Sequence, residues 1–229
     1  VISAIVFIAI AYVLGSIPTG YWVAKSRGID ITKVGSGSTG ATNVYRCCGK
    51  AAGIFVFVID ILKGYLPVLI ASILDQGDKA QEWSFIYPHL VPTLVALSTL
   101  IGHSKSVFLG FKGGKSAATG LGTLLALQPL AALCTFATWI SLVYLTRIVS
   151  LASIAAVAAS VGYFALFKAP LAFTGYCAVG FVYITWRHKA NIQRMLAGTE
   201  PRVGDKPKEL AEPEKSKQTT EASSDKSKD

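Results

Sequence analysis

Long apolar runs alternate with short polar, glycine-rich or basic stretches along most of this chain. A bilayer core about 30 Å thick takes about 20 helical residues to cross. Runs that meet or approach that length extend from Val1 to Ala24, Ala51 to Leu74, Pro88 to Ile101, Leu151 to Phe167 and Pro170 to Trp186. A further apolar stretch from Ser116 to Leu145 is too long for one untilted span and is interrupted by Gln128 and Pro129. It is either one long helix or a hairpin of two short ones.

Charge decides between these two. Basic residues gather in loops on the cytoplasmic side of a membrane protein. The segment from Lys25 to Lys50 carries Lys25, Arg27, Lys33, Arg46 and Lys50 against Asp30 alone, which predicts a cytoplasmic loop and an N-terminus outside. Asp75 to Tyr87 is acidic and falls outside, and His103 to Lys115, with Lys105, Lys112 and Lys115, returns inside. Only a hairpin turning at Gln128 and Pro129 keeps Arg147 and the Arg187, His188, Lys189 cluster on the cytoplasmic side. The expectation is an all-α integral membrane protein: a bundle of seven transmembrane helices over residues 1–197, N-terminus outside and C-terminus cytoplasmic. The fourth span is then only about 18 Å long at helical rise. Residues 198–229, rich in Lys, Glu, Ser and Pro, are expected to form a disordered, charged cytoplasmic tail without chemistry.

Composition agrees with the pattern. Of 229 residues 52% are hydrophobic and 15% charged, and mean hydropathy is +0.50, whereas soluble domains carry charge on about a quarter of their residues. Because apolar segments recur as far as Trp186, the first is read as a span and not as a cleavable signal. Cys47, Cys48, Cys134 and Cys177 have neither C-x-x-C spacing nor histidine partners, so neither a metal site nor a disulfide framework is expected. The net charge of +9 is concentrated in the body, since the tail holds seven Lys/Arg against eight Asp/Glu. These bases lie in short loops between spans, which points to anionic lipid or anionic substrates and excludes nucleic acid.

Two of the loops carry candidate chemistry. The first contains Gly35, Gly37 and Gly40 at G-x-G-x-x-G spacing, with Ser36, Ser38, Thr39, Thr42 and Asn43 among and after them and Arg46 beyond. No strand precedes it, so a dinucleotide fold fails; what remains is an anion cradle at a helix N-terminus with Arg46 as a bidentate charge. The second runs from Gly102 and His103 to Gly113, Gly114, Lys115 and Ser116. It resembles the end of a Walker A loop, but Leu109 stands where the required glycine would be. Lys115, just ahead of an apolar helix, is placed to hold a phosphate together with backbone amides.

Other polar positions are sparse. Asp60 and Lys63, three apart within the second span, must find partners in the bundle interior, as an ion pair or a proton relay. His188 and Asn191 share a helical face at the inner end of the last span, and Arg147, Ser150 and Ser153 lie at the start of the one before. There is no G-x-S-x-G elbow, and none of the histidines is followed by an aspartate at H-x-x-x-x-D spacing.

Gly15-Ser16-Ile17-Pro18-Thr19-Gly20, the Gly35 to Arg46 loop, Asp60-Ile61-Leu62-Lys63-Gly64, the Gly102 to Lys115 loop, and Arg187-His188 with Asn191 occur together and in order. In this the chain resembles the bacterial acyl-phosphate-dependent glycerol-3-phosphate acyltransferases of the inner membrane, over residues 1–200. The resemblance implies transfer of a fatty acyl group from acyl phosphate to the 1-hydroxyl of glycerol 3-phosphate, giving lysophosphatidic acid and phosphate. It implies no metal, no other cofactor, and a site on the cytoplasmic face. Carried over by position, Ser36 and Arg46 match the family's phosphate-binding loop, Lys115 its essential lysine, and Ser153, His188 and Asn191 its glycerol 3-phosphate contacts. Gly35, Gly37, Ser38, Gly40, Thr42, Asn43, His103, Gly113 and Gly114 complete the expected substrate-binding set. Many members have Asn in place of Ser38 and Gly in place of Ser116; the second change removes backbone freedom next to Lys115.

Such a reaction brings two phosphates to one carbonyl. Arg46, Lys115 and His188 would offset their charge and stabilise the oxyanion and the departing phosphate. Phosphate leaves readily, so the glycerol hydroxyl attacks directly, with His103, His188 or a substrate phosphate oxygen taking the proton. The alternative class is a transporter for an anionic metabolite or phospholipid. Against it, no inverted repeat is apparent and the basic motifs collect on one face.

Overall fold

The computed structural model describes residues 2–76 and 89–205. Its helices are α1 (Ile2–Ser16), α2 (Thr19–Lys25), α3 (Ala41–Cys48), α4 (Lys50–Gln76), α5 (Leu90–Ser104), α6 (Ala117–Leu127), α7 (Pro129–Thr146), α8 (Val149–Leu166), α9 (Leu171–Arg187) and α10 (Lys189–Leu196), with a 3₁₀ turn at Val107–Leu109. Among the described residues, four segments are long and apolar enough to cross a membrane: Ile2–Lys25, Lys50–Asp75, Pro129–Thr146 and Val149–Leu166; Leu90–Ser104 and Ala117–Leu127 are shorter apolar helices. The protein is all-helical and membrane-embedded. The acidic loop expected outside falls largely on residues 77–88 and lies outside the described residues, as do residues 206–229 of the expected tail.

The surface and interior are arranged for lipid. Large apolar side chains such as Ile2, Leu130, Val182 and Leu171 are exposed around the bundle, while small and hydroxyl residues, among them Ser16, Thr99, Thr119 and Thr123, are buried within it. Between lipid and interior there is no difference in hydrophobicity to drive helices together, so association depends on close backbone approach. Glycine provides it twice, each time reciprocally. A Cβ at Gly15 of α1 would run into the backbone of Thr99 in α5, and one at Gly102 of α5 into the Tyr12 carbonyl of α1. Likewise a Cβ at Gly64 of α4 would meet the Thr119 carbonyl of α6, and one at Gly122 the Ile61 carbonyl of α4.

The first span is not the continuous helix expected. Pro18 lacks an amide hydrogen and breaks it between Ser16 and Thr19. Freed carbonyls in lipid need donors, and they receive them from other helices and loops: Lys63 Nζ donates to Ile17 O at 2.8 Å, and Ser106 Oγ to Ser16 O at 2.6 Å. The same Lys63 ammonium lies 2.8 Å from Asp60 Oδ1, which is 3.7 Å from His103 Nδ1. Asp60 and Lys63 thus form the buried ion pair predicted, and the pair serves to repair the helix break.

The long apolar stretch is two helices, as its charge pattern required. Gln128 ends α6 and caps α7, whose first residue is Pro129. The apolar core of α1, α4, α5, α6, α7, α8 and α9 lies toward the end of the bundle away from the basic loops, and a smaller cluster around Ile31, Val44 and Val56 seats the first loop on α4.

Enlarging a contact glycine should separate its helix pair. Gly64→Ala is expected to destabilise the detergent-solubilised protein by about 1–3 kcal/mol, read as a Tm lowered by several degrees. Gly162→Ala, where a Cβ meets nothing within 4 Å, should leave Tm in place. Equal Tm values for the two would contradict the packing described.

Candidate active site

The two glycine-rich loops and the segments that follow α7 and α9 meet at one end of the bundle. Helix α6 has 11 residues and α7 has 18, and they share the turn at Gln128. At helical rise, the start of α6 therefore lies about 10 Å short of the far end of α7. The loop carrying Lys115 dips into the bundle to meet it. This is why the fourth apolar segment is short.

The first loop is built around Asn43. Its Nδ2 donates to the carbonyls of Val34 at 3.1 Å, Ser38 at 2.9 Å and, at 3.4 Å, Ile31; its Oδ1 accepts the Ser36 amide at 2.9 Å. Asn43 is fully buried. Expected as a substrate ligand, it has its amide committed to the loop and acts as the loop's internal brace. Gly35 and Gly37 adopt φ of 59° and 66°, and a Cβ on Gly35 would strike Asn43 Oδ1. Gly40 begins α3, which presents Thr42 and Arg46 on the side of the cavity.

The second loop packs on His103. The Gly114 amide donates to His103 O at 3.2 Å, and a Cβ on Gly113 or Gly114 would collide with His103. Arg187 pins the loop through NH2 to Gly114 O at 3.0 Å. Ser116, expected to cost the loop backbone freedom, adopts φ 63°. Left-handed backbone costs a side-chain-bearing residue about 1–2 kcal/mol; here Ser116 Oγ donates to Leu100 O at 2.7 Å in a buried setting and helps to offset it.

Between the loops lies a cavity of about 610 Å³. Ser36, Ser38, Gly40, Thr42, Asn43, Arg46, His103, Lys115, Ser153, His188 and Asn191 all line it. Gly35, Gly37, Gly113 and Gly114, expected to bind substrate, are not among the lining residues; they shape the loops that carry Ser36 and Lys115. Ser153 Oγ donates to Val149 O at 2.8 Å and accepts Trp139 Nε1 at 3.1 Å, which fixes its direction.

One residue in the polar network was not anticipated. Glu200 is buried and accepts Asn191 Nδ2 at 2.6 Å, Ser150 Oγ at 2.7 Å and Arg194 Nε at 2.7 Å. Asn191 Oδ1 in turn accepts Lys115 Nζ at 2.6 Å. The backbone beyond Glu200 continues as a strap: Pro201 O accepts Arg46 NH2 at 3.0 Å, and Val203 O accepts both Arg147 Nε and NH2. Residues 198–205 thus belong to the folded domain, contrary to the boundary expected at 198. The hint in the sequence was a body holding fifteen bases and five acids, none of the five lying between Arg147 and Arg194.

Burial sets the charge states. It draws Lys115 down to about 8, with Glu200 opposing and Arg194, Arg46 and Arg187 reinforcing. Burial also lowers His188 to about 4, helped by Lys115. Its Nδ1 lies 2.8 Å from the Ile184 carbonyl, so this nitrogen carries the proton and Nε2 is left as an acceptor. Burial would raise Glu200, but the hydrogen bonds from Asn191, Ser150 and Arg194 outweigh it and hold the carboxyl below its ordinary value. At this end Arg46, Lys115, Arg187 and Arg194 stand against two carboxylates, Glu200 and Asp205, which leaves an excess of cations suited to a phosphate.

Beyond this end the same cavity is lined by Ile54, Phe57, Leu121, Leu124, Phe136, Trp139, Val143, Val157 and Tyr176. An anion site thus opens directly into an apolar shaft.

Comparison with known proteins matches this geometry. The sequence profile described as glycerol-3-phosphate acyltransferase matches residues 5–198. A protein of that name from Thermosynechococcus vestitus is 46% identical over 199 residues, covering 85% of this chain and 92% of that protein. One from Trichormus variabilis is 45% identical over 210 residues, covering 87% and 91%. The crystal structure of PlsY (YgiH), an integral membrane glycerol 3-phosphate acyltransferase, in its glycerol 3-phosphate form has a TM-score of 0.79 at 40% identity, over 88% of this chain and 96% of that one. Its lysophosphatidic acid form gives 0.77 at 39% identity. With its loops, its bundle and nearly its whole described length accounted for, this chain belongs to the glycerol-3-phosphate acyltransferase family of integral membrane enzymes.

Proposed function

We propose that this enzyme takes its acyl group from an acyl phosphate and transfers it to the 1-hydroxyl of glycerol 3-phosphate, releasing lysophosphatidic acid and inorganic phosphate. The observation that carries this reading is the continuity of a cationic pocket with an apolar shaft in one cavity. A fatty acyl phosphate has that polarity along its own length. A second phosphate, that of glycerol 3-phosphate, gives a use to the several cations at the mouth.

In this reading Lys115 and Arg46 hold the phosphates, with the Ser36 and Thr42 hydroxyls beside them, and Asn191 and Ser153 orient the glycerol. The hydroxyl oxygen attacks the acyl carbonyl carbon, and the bond from that carbon to the phosphate oxygen breaks. Charge that develops on the carbonyl and leaving oxygens is met by groups already fixed in place. His188, lowered to about 4, is a weaker base than a phosphate whose second pKa is about 6. We therefore assign the hydroxyl proton to a substrate phosphate oxygen and give His188 Nε2 an orienting role.

We further place seven crossings in a bacterial inner membrane, counting α1 with α2 as the first and α4 to α9 as the others. The N-terminus is outside, and the site and C-terminus are cytoplasmic. The support is the distribution of Lys and Arg, which favours the cytoplasmic side, over loops that meet at one end of the bundle.

Purified protein given palmitoyl phosphate should release phosphate in a manner that depends on glycerol 3-phosphate. Lys115→Ala should lower the rate about a hundred- to a thousandfold, as loss of one preorganised donor does. Phosphate release at the same rate without glycerol 3-phosphate would contradict the transfer.

The pH profile tests the charge state. The Lys115 ammonium predominates below about 8 and is lost above it, so kcat/KM should fall as pH rises through that value. Lys115→Arg keeps its charge and should carry the alkaline limb upward in whatever activity remains. An unmoved limb would assign it to another group.

A further inference from the structure

The apolar shaft has a defined depth. Tyr176, Gly180, Ile184 and His188 recur every fourth residue along α9, and all four line the cavity. Positions four apart lie one above the other on a helix. This stripe therefore runs straight from the polar mouth at His188 to Tyr176, about 18 Å at helical rise.

At Tyr176 the shaft stops. Leu124, Thr135 and Val157 line its inner part on the other helices. One turn further on, Leu127, Ala131 and Phe173 belong to the packed core, joined by Phe164 two turns beyond Val157. The Tyr176 ring is buried and its hydroxyl is hydrogen-bonded to Thr123, so swinging it aside would strand a buried polar group. Midway along the stripe, Gly180 is buried, yet a Cβ placed on it would meet no atom within 4 Å. The space beside it is the shaft itself.

We infer that α9 acts as a length gauge for the acyl group: Gly180 keeps the shaft open and Tyr176 ends it, and together they set the longest chain accepted. This rests on the acyl phosphate reading above. The competing route is sideways between α4 and α7, past Phe57, Phe136 and Trp139. There the three rings stack at centroid separations of 5.8–6.4 Å, and Trp139 is tied to Ser153. That closure favours the path down the shaft.

The test is lysophosphatidic acid formation from a series of acyl phosphates, octanoyl to stearoyl, by the purified wild type and by Gly180→Leu, Tyr176→Ala and Gly175→Leu. Gly175 is exposed on the lipid face of the same helix and serves as the control. One methylene too many in a fixed apolar pocket lowers kcat/KM about tenfold or more. The ratio of kcat/KM for lauroyl over stearoyl phosphate should therefore rise at least about tenfold in Gly180→Leu. It should fall in Tyr176→Ala and stay in place in Gly175→Leu. Should Gly180→Leu not fold, the fall in Tyr176→Ala and a smaller rise in Gly180→Ala carry the decision. Ratios unmoved in variants that make product would overturn the gauge and send the chain out between α4 and α7. A wild type that makes product from none of the acyl phosphates would overturn the donor reading, and the gauge with it.

Discussion

A backbone carbonyl inside a membrane must have a donor, and the break of the first span at Pro18 leaves carbonyls without their helical partners. Much of the interior answers to this. Lys63 reaches Ile17 O from α4, and Ser106 reaches Ser16 O from the second loop. A lysine so deep needs a counter-charge, which Asp60 supplies. Asp60 in turn lies beside His103, and His103 is the surface on which Gly113 and Gly114 fold. The position of Lys115 is thus connected, contact by contact, to a proline nearly a hundred residues earlier.

The active site is likewise a problem of charge solved with few residues. Arg46, Lys115 and Arg194 converge from three separate helices or loops, and Glu200 is the carboxylate that lets them do so. Its three hydrogen bonds keep it ionised, and through Asn191 it bears on Lys115. Balance is incomplete: Glu200 and Asp205 against Arg46, Lys115, Arg187 and Arg194 leave attraction for a phosphate without the repulsion that a fully cationic pocket would suffer when empty.

Much of this was legible in the sequence. The apolar periods and the K/R asymmetry located the helices, including the turn at Gln128, because lipid imposes composition directly on each span. The residues chosen as Ser36, Arg46, Lys115, His188 and Asn191 do line one cavity. What failed to show was how neighbours share the work. Asn43 and the glycines Gly35, Gly37, Gly113 and Gly114 look like ligands because phosphate loops use such residues, yet the same residues are needed to fold a tight loop, and only the contacts distinguish the two uses. Glu200 was hidden by its surroundings, a charged stretch whose average composition is that of an unfolded tail. The shaft was invisible for a different reason: Tyr176 and Gly180 are ordinary in an apolar helix, and their role comes from what four other helices leave empty beside them.

The strap that carries Glu200 follows the last of the long helices. During synthesis, then, every membrane-spanning helix can be inserted and packed while the carboxylate that assembles the cations is still within the ribosome. Chain order thus allows the bundle to form before the carboxylate that completes its polar end has docked.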